Sequence, residues 1–372
     1  MHTRGDERAP LARKGRGALS NVETRFDAWT RVRERDDAER HELPDHEPAT
    51  PTVVTPVPVR VIISRNDSPD IPFDQSINPY QGCEHGCVYC YARPTHAYLG
   101  LSPGLDFERR IFAKTDAAAR LRAELSRPGY KPGLIALGAN TDPYQPAERR
   151  MGITREVVQV LAQARLPFCI VTKSAGVTRD IDLLSEPAAG GRVRVFISLS
   201  TLDATLARQL EPRAASPQRR LQAMQKLAQA GIPVGVFCSP LIPALNDAHL
   251  ERVLQAAQEA GATSASYVML RLPREVRELF VQWLHAHVPD RAEHVMSLVR
   301  QMRDGRDNAW EFGQRMKGSG PYAELLNQRF HLTARRLGLA TRLPPMSTAE
   351  FTPPGVGPRQ PAQEMPPQMS LF

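Results

Sequence analysis

The chain has 372 residues, a formal net charge of +8 and five cysteines, long enough for one catalytic core of roughly 200–250 residues with extensions on both sides. It has no apolar run of about 18 residues, and its charged N-terminus has no apolar segment behind it, which excludes a membrane span and a secretory signal. Three of the cysteines are clustered, which suits a reduced cytoplasm and not a disulfide framework.

Arg outnumbers Lys 42 to 6, a bias that coding-DNA composition produces without selection for nucleic-acid binding, so distribution is more informative than the total. Residues 1–45 carry ten basic and ten acidic side chains, whereas residues 291–342 carry ten basic against five acidic. The second stretch is a candidate phosphate-facing surface or a solvated face.

In chain order, residues 1–55 are charged, poor in periodic apolar positions and end in a Pro-punctuated run, which predicts a largely disordered arm with one short helix around Thr24–Asp37. A first strand is expected at Ser76–Tyr80. Apolar, β-branched segments then recur at Gly133–Gly138, Phe168–Thr172, Val193–Leu199, Val234–Pro240 and Ala265–Leu270. Helical patterns lie between them at Asp116–Ser126, Thr154–Ala164, Arg179–Leu184, Pro217–Ala230 and Ala248–Ala260, two ending in Gly at a C-cap position. This alternation predicts an α/β core over residues 56–275, a parallel sheet of about six βα units forming a partial, open barrel. Residues 276–343 read as a helical C-terminal extension. Residues 344–372 are Pro-, Gln- and Met-rich and read as a disordered tail.

In such folds the chemistry sits at the C-terminal ends of the strands. The segments with chemical character fall there: Cys83-x3-Cys87-x2-Cys90, Asn140-Thr141-Asp142-Pro143-Tyr144, Thr172-Lys173, Ser198 with Ser200, Pro240–Asp247, and Arg271. For the three cysteines two metal readings compete. A zinc site needs a fourth ligand, for which His85 and His96 are near; an iron–sulfur cluster takes three thiolates and leaves one iron open. Structural zinc sites arrive as two separated ligand pairs, and no second pair exists here, so the spacing favours the cluster.

C-x3-C-x2-C with an aromatic (Tyr89) before the third cysteine, opening a partial (β/α)6 barrel, resembles the radical S-adenosylmethionine (AdoMet) superfamily. The resemblance implies a [4Fe–4S] cluster on Cys83, Cys87 and Cys90, with the amino and carboxylate groups of AdoMet on the fourth iron. It also implies one-electron cleavage to a 5′-deoxyadenosyl radical, and an electron donor such as flavodoxin or ferredoxin. Asn78-Pro-Tyr-Gln-Gly-Cys83, Cys90-Tyr-Ala-Arg-Pro-Thr-His-Ala-Tyr-Leu-Gly100, Asn140-Thr-Asp-Pro-Tyr-Gln-Pro-Ala-Glu148 and Pro240-Leu-Ile-Pro-Ala-Leu-Asn-Asp247 together resemble the group that includes spore photoproduct lyase, often labelled DNA repair photolyase-like. By that resemblance Tyr89 approaches the cofactor adenine, Thr141 and Asp142 take its amino group, and Lys173 faces its carboxylate.

Period-two alternation puts Phe196, Ser198 and Ser200 on one face, where small hydroxyls suit a ribose or carboxylate. Glu211 and Arg213 follow the same strand and either join the site or form a loop pair. Asn246 and Asp247 either bind ligand or cap the next helix. Arg271 meets either an anionic substrate or a neighbouring acid. Spore photoproduct lyase returns a hydrogen atom from a cysteine near the end of its second strand, and Leu137–Gln145 contains none. Cys238, Tyr144 and Tyr91 are the candidate donors in its place.

The chain ends in Gln368-Met-Ser-Leu-Phe372 behind a Pro-rich tether, which resembles the bacterial sliding-clamp binding peptide, with Met369 for Leu beside Gln368, Leu371 and Phe372. The function expected is radical AdoMet chemistry on DNA recruited through the clamp. The alternatives are the same chemistry on a tRNA, protein or small molecule, and a non-catalytic cluster or zinc adaptor.

Overall fold

The structure is a computed structural model in which residues 14–27 and 51–355 are described. The strands are β1 (Val53–Val57), β2 (Ile63–Arg65), β3 (Gln75–Ile77), β4 (Tyr80–Gln81), β5 (Arg110–Lys114), β6 (Ile135–Leu137), β7 (Phe168–Thr172), β8 (Val193–Ser198), β9 (Val234–Leu241) and β10 (Ser264–Met269). Strands β3, β6, β7, β8, β9 and β10 lie side by side in sequence order, each pair parallel, with β2 antiparallel on the outer edge of β3. Among the described residues no ladder joins β10 to β2, so the six parallel strands form an open, partial barrel. Helices cover the outer face, so strands such as Phe168-Cys-Ile-Val-Thr172 are apolar nearly throughout, as a doubly covered parallel strand requires.

The first core strand stops at Ile77, earlier than expected. Pro79 has no N–H for a ladder, and its carbonyl instead accepts from the Lys114 amide at 3.0 Å. The chain resumes as β4 in a separate sheet of order β1-β5-β4. Asn78 joins the two strand ends, its side-chain oxygen accepting from the amides of Asn140 (2.8 Å) and Thr141 (3.2 Å).

The expected connecting helices appear as Ala117–Leu125, Ile153–Gln163, Ile181–Ala189, Pro217–Gln229 and Leu250–Glu259. Gly231 follows its helix at φ +74°, where the Ile232 amide closes back onto the Leu227 carbonyl at 3.0 Å. A further helix, Ala204–Leu210, is capped by Asp203, whose carboxylate accepts from the amides of Thr205 and Leu206.

The C-terminal extension has helices Glu275–His287, Pro289–Gln301 and Gly320–Arg336, with an irregular stretch over residues 302–319. A second hydrophobic core joins Val276, Phe280, Trp283 and Val295 of these helices to Cys87, Val88 and Tyr89 of the cysteine loop, and to Ala18 and Val22. Those last two lie in the N-terminal arm that its charge pattern predicts to be largely disordered, and residues 14–27 are instead packed against the cysteine loop and the C-terminal helices. Of the predicted helix at Thr24–Asp37, residues 24–27 form a turn closed by the Asp27 amide on the Thr24 carbonyl, and the rest lies outside the described residues. The start of the Pro-rich tail is docked: the Thr352 amide donates to the Ala164 carbonyl at 2.9 Å, and Phe351 packs 5.5 Å from Tyr130. Gln368–Phe372 lie outside the described residues.

Candidate active site

The loop from Gly82 to Cys90 is buried almost throughout yet has no regular structure, so its polar backbone is satisfied from outside. The Cys83 amide donates to Phe107 O at 2.9 Å, the Val88 amide to Leu210 O at 3.1 Å, and the Glu84 amide to the Gln145 side chain at 2.9 Å. Arg93, fully buried, donates to the carbonyls of Gly86, Cys87, Pro103 and Gly104 and pairs with the buried Glu108. Both Glu108 oxygens also accept amides from the N-terminal arm, from Gly17 (3.0 Å) and Ala18 (2.8 Å). One Arg–Glu pair thus binds the cysteine loop to a segment more than sixty residues upstream in the chain.

All five cysteines are free, and burial raises the thiols of Cys83, Cys87 and Cys90, so loading them with metal must release protons. Among the described residues no three His, Cys, Asp or Glu side chains converge on one point as ligands of a single ion. A zinc site needs four ligands around one centre, whereas the thiolates of a cubane each bind a different iron. The histidines are also committed. His85 Nδ1 lies 3.2 Å from Asp142 Oδ2, and His96 Nε2 lies 3.0 Å from the Arg110 carbonyl. Three buried thiols in an irregular, externally braced loop fit a [4Fe–4S] cluster.

Asp142 has both oxygens engaged. Oδ1 accepts from Thr172 Oγ1 (2.7 Å) and the Tyr144 amide (2.9 Å), and Oδ2 accepts from the Lys173 amide (2.7 Å). Burial alone would raise its pKa, but the His85 contact and these donors outweigh it and hold the carboxyl at about 2. It therefore locks the ends of β6 and β7 to the cysteine loop through His85. Thr141 is buried, its hydroxyl donating to the Tyr80 carbonyl at 2.8 Å.

Lys173 Nζ donates to Ser198 Oγ at 2.8 Å and stands 5.9 Å from the centre of the Tyr89 ring. Ser198 donates in turn to Ser239 O at 3.2 Å, and Ser200 is buried two residues beyond. The Tyr89 hydroxyl donates to Glu211, and Glu211 pairs with Arg220, which also donates to the Ser198 carbonyl at 2.9 Å. Burial, reinforced by the Glu211 charge, pushes the Tyr89 phenol well up, so it stays protonated as the donor. Glu211 is a buried member of the site, and Arg213 pairs with Glu84 of the cysteine loop at 3.1 Å. Of the two readings open for Glu211 the site is the one the structure bears out, whereas Arg220, Arg93 and Glu108 escape a reading of strand ends. The usable signal for Arg220 was an Arg four residues into helix Pro217–Gln229, too weak alone to mark a site.

The structure does not gather every expected residue. The Tyr144 hydroxyl donates to Asp180 at 3.0 Å within the main core. Cys238 also belongs to that core, on the face of β9 opposite Gly235, against whose backbone Phe196 packs inside the barrel. Asn246 turns inward to bridge the Pro240 carbonyl and Ile242 amide, and Asp247 accepts from Tyr322. Tyr91, beside Cys90, is 49 % exposed.

The sequence profile of the Radical SAM superfamily matches residues 77–257. An uncharacterized protein of Mycobacterium tuberculosis is 38 % identical over 233 residues, covering 62 % of this chain and 68 % of the relative. One from Methanocaldococcus jannaschii is 28 % identical over 171 residues, covering 46 % of this chain and 61 % of the relative. Among solved structures, a variant of spore photoproduct lyase with bound AdoMet and dinucleoside spore photoproduct superposes with a TM-score of 0.58 at 16 % identity, covering 77 % of this chain and 81 % of that one. At that identity the likeness speaks for the fold alone. Together the profile, the relatives and the fold settle the family: the chain belongs to the radical S-adenosylmethionine superfamily, as an enzyme that carries a [4Fe–4S] cluster and uses AdoMet.

Proposed function

We propose that Cys83, Cys87 and Cys90 hold the cluster, and that the enzyme acts on DNA to which its C-terminal peptide recruits it through the sliding clamp. When bound and reduced by an electron donor such as flavodoxin or ferredoxin, the cluster and AdoMet would supply one-electron radical chemistry for hydrogen abstraction from substrate. The chain's own residues bind and orient. Lys173, held by Ser198 over Tyr89, offers a cation for the AdoMet carboxylate. The Glu211–Arg220 pair fixes the Tyr89 ring from behind, and Asp142 with Thr141 sets the loop that faces the amino group. Tyr91, whose ring is half exposed and whose hydroxyl donates to the Ala139 carbonyl, is the candidate donor left outside the core, since Tyr144 and Cys238 lie within it.

The observation that carries the reading is the buried cysteine loop at the strand ends with Tyr91 half open to solvent beside Cys90. The DNA assignment draws support from the spore photoproduct lyase fold, solved with a dinucleoside lesion, and from the Gln368–Phe372 peptide. Part of the basic excess of residues 291–342 is met by acids elsewhere in the chain, Arg315 by Asp70 and Arg329 by Glu251, while Arg300 and Arg306 pair with Asp307 and Glu311 inside the stretch. No described helix is long and apolar enough to cross a membrane. The test is to delete Gln368–Phe372. Binding to purified sliding clamp should vanish while iron content stays at the full-length value; clamp binding that survives the deletion rules out recruitment through this peptide.

A further inference from the structure

Three guanidinium groups crowd the end of β10. Arg303 donates to the carbonyls of Leu270 (2.9 Å) and Gln314 (2.9 Å), and Arg315 pairs with Asp70. Arg271 has no carboxylate partner among the described residues. Its Nη1 reaches the Met316 sulfur at 3.7 Å, its Nε is enclosed without an acceptor, and its guanidinium lies 5.7 Å from the centre of the half-exposed Tyr91 ring. Of the two readings open for Arg271, the neighbouring acid is Asp70, which acts on Arg271 by charge but is ion-paired to Arg315 and not to Arg271. Crowded like charges in a partly desolvated place are costly unless an anion joins them. Burial first, then Arg271, bring Arg303 down to about 10, which records that crowding.

The stretch that carries Arg315 and Met316 also exposes aromatic rings. The irregular stretch 302–319 is tied to the barrel mouth by the Met269 amide on the Met316 carbonyl (2.9 Å) and the Leu272 amide on the Asn308 side chain (3.1 Å). It presents Trp310 at 53 % and Phe312 at 58 % exposure, with Arg315 4.5 Å over the Phe312 ring. Exposed rings interleaved with unneutralised guanidinium suit a ligand carrying both flat faces and phosphates, because rings stack on bases while the planar fork grips phosphate oxygens.

We propose that Arg271, with Trp310 and Phe312, forms a nucleic-acid subsite at the barrel mouth, the guanidinium binding a backbone phosphate and the rings stacking flanking bases, beside Tyr91 and the cluster loop. This deepens the DNA reading above and rests on it. The test uses full-length, cluster-loaded protein and a fluorescent single-stranded oligodeoxynucleotide titrated at several salt concentrations, with AdoMet binding and iron content measured alongside. Arg271→Ala should weaken DNA binding about tenfold and shrink the slope of log affinity against log salt by about 0.7, the value for one lost single-strand phosphate contact. Arg271→Lys should recover much of the slope and part of the affinity. The double variant Trp310→Ala/Phe312→Ala should weaken binding about tenfold or more with the salt slope unchanged. AdoMet affinity and iron content should match wild type throughout, showing that fold and cofactor site are intact. Wild-type DNA binding in Arg271→Ala overturns the subsite and leaves the DNA reading standing, as does a loss confined to AdoMet affinity, which assigns Arg271 to the cofactor. Binding that depends on Arg271 but leaves 5′-deoxyadenosine formation unaltered by DNA supports the subsite and removes DNA as the substrate. A wild-type protein that binds no DNA overturns both.

Discussion

Arg93–Glu108 and Glu211–Arg220 are buried ion pairs, which seldom add net stability because desolvation of two charges offsets their attraction. Their use here is geometric. An irregular loop leaves carbonyls without ladder partners, and a guanidinium with its fork of donors fills several at once, as Arg93 does for four. His96 illustrates the opposite choice, a buried histidine kept neutral. It packs edge-on to Phe107 at 5.2 Å, its Nε2 lies against the Arg110 carbonyl and its Nδ1 has no partner, so burial lowers its pKa to about 4. Between about 4 and the ordinary 6.5 the unfolded chain binds the proton that the folded chain refuses, so stability must fall as pH drops through that window and stay level above it. The loss should reach about 2–3 kcal/mol at the acid end. Urea midpoints measured from pH 7.5 to 5.5 should decline in wild type and flatten in His96→Gln; an equal decline in both would assign the effect elsewhere.

At the level of elements, the N-terminal arm is the largest departure from what its composition implies. Charge balance and lack of periodicity carry no record of docking, because the contacts are made by backbone amides, small apolar side chains and polar groups such as Arg16 and Arg25 whose partners lie far along the chain. Gly17 N–H and Ala18 N–H hold Glu108, and a Cβ on Gly17 would lie 1.8 Å from the Gly86 carbonyl oxygen. Gly17→Ala must therefore lift the arm off the cysteine loop, at an overpacking cost of about 1–3 kcal/mol. Iron bound per chain after anaerobic reconstitution should fall well below wild type, with a lower Tm; full iron loading at unchanged Tm would show that the arm does not brace the loop. The strands were far more legible. Apolar runs spaced by helical patterns fix parallel βα units, and five of the six core strands lie where those runs are, while the first ends early at Ile77, ahead of Pro79, which cannot donate to a ladder.

Across the whole molecule, what could be read from sequence is what repeats or clusters locally: the six-strand order, the cysteine loop and the strand-end positions of Asp142, Lys173 and Ser198. What could not be read is assembled from distant segments. Glu211 reaches Tyr89 across more than a hundred residues, and the C-terminal helices share one core with the cysteine loop and the N-terminal arm. Asp142 shows the difference within a single residue: its place was legible, but its four close contacts, which make it a brace for the loop, were not. The chemistry converges on Cys83, Cys87 and Cys90, and one experiment addresses them together. Protein purified without oxygen, reconstituted with iron and sulfide, reduced and mixed with AdoMet should be brown and form 5′-deoxyadenosine, while Cys90→Ala treated alike should lose both colour and product. A colourless wild-type protein that binds zinc, or a Cys90→Ala variant that still cleaves AdoMet at the wild-type rate, would contradict the assignment of the cluster to this loop.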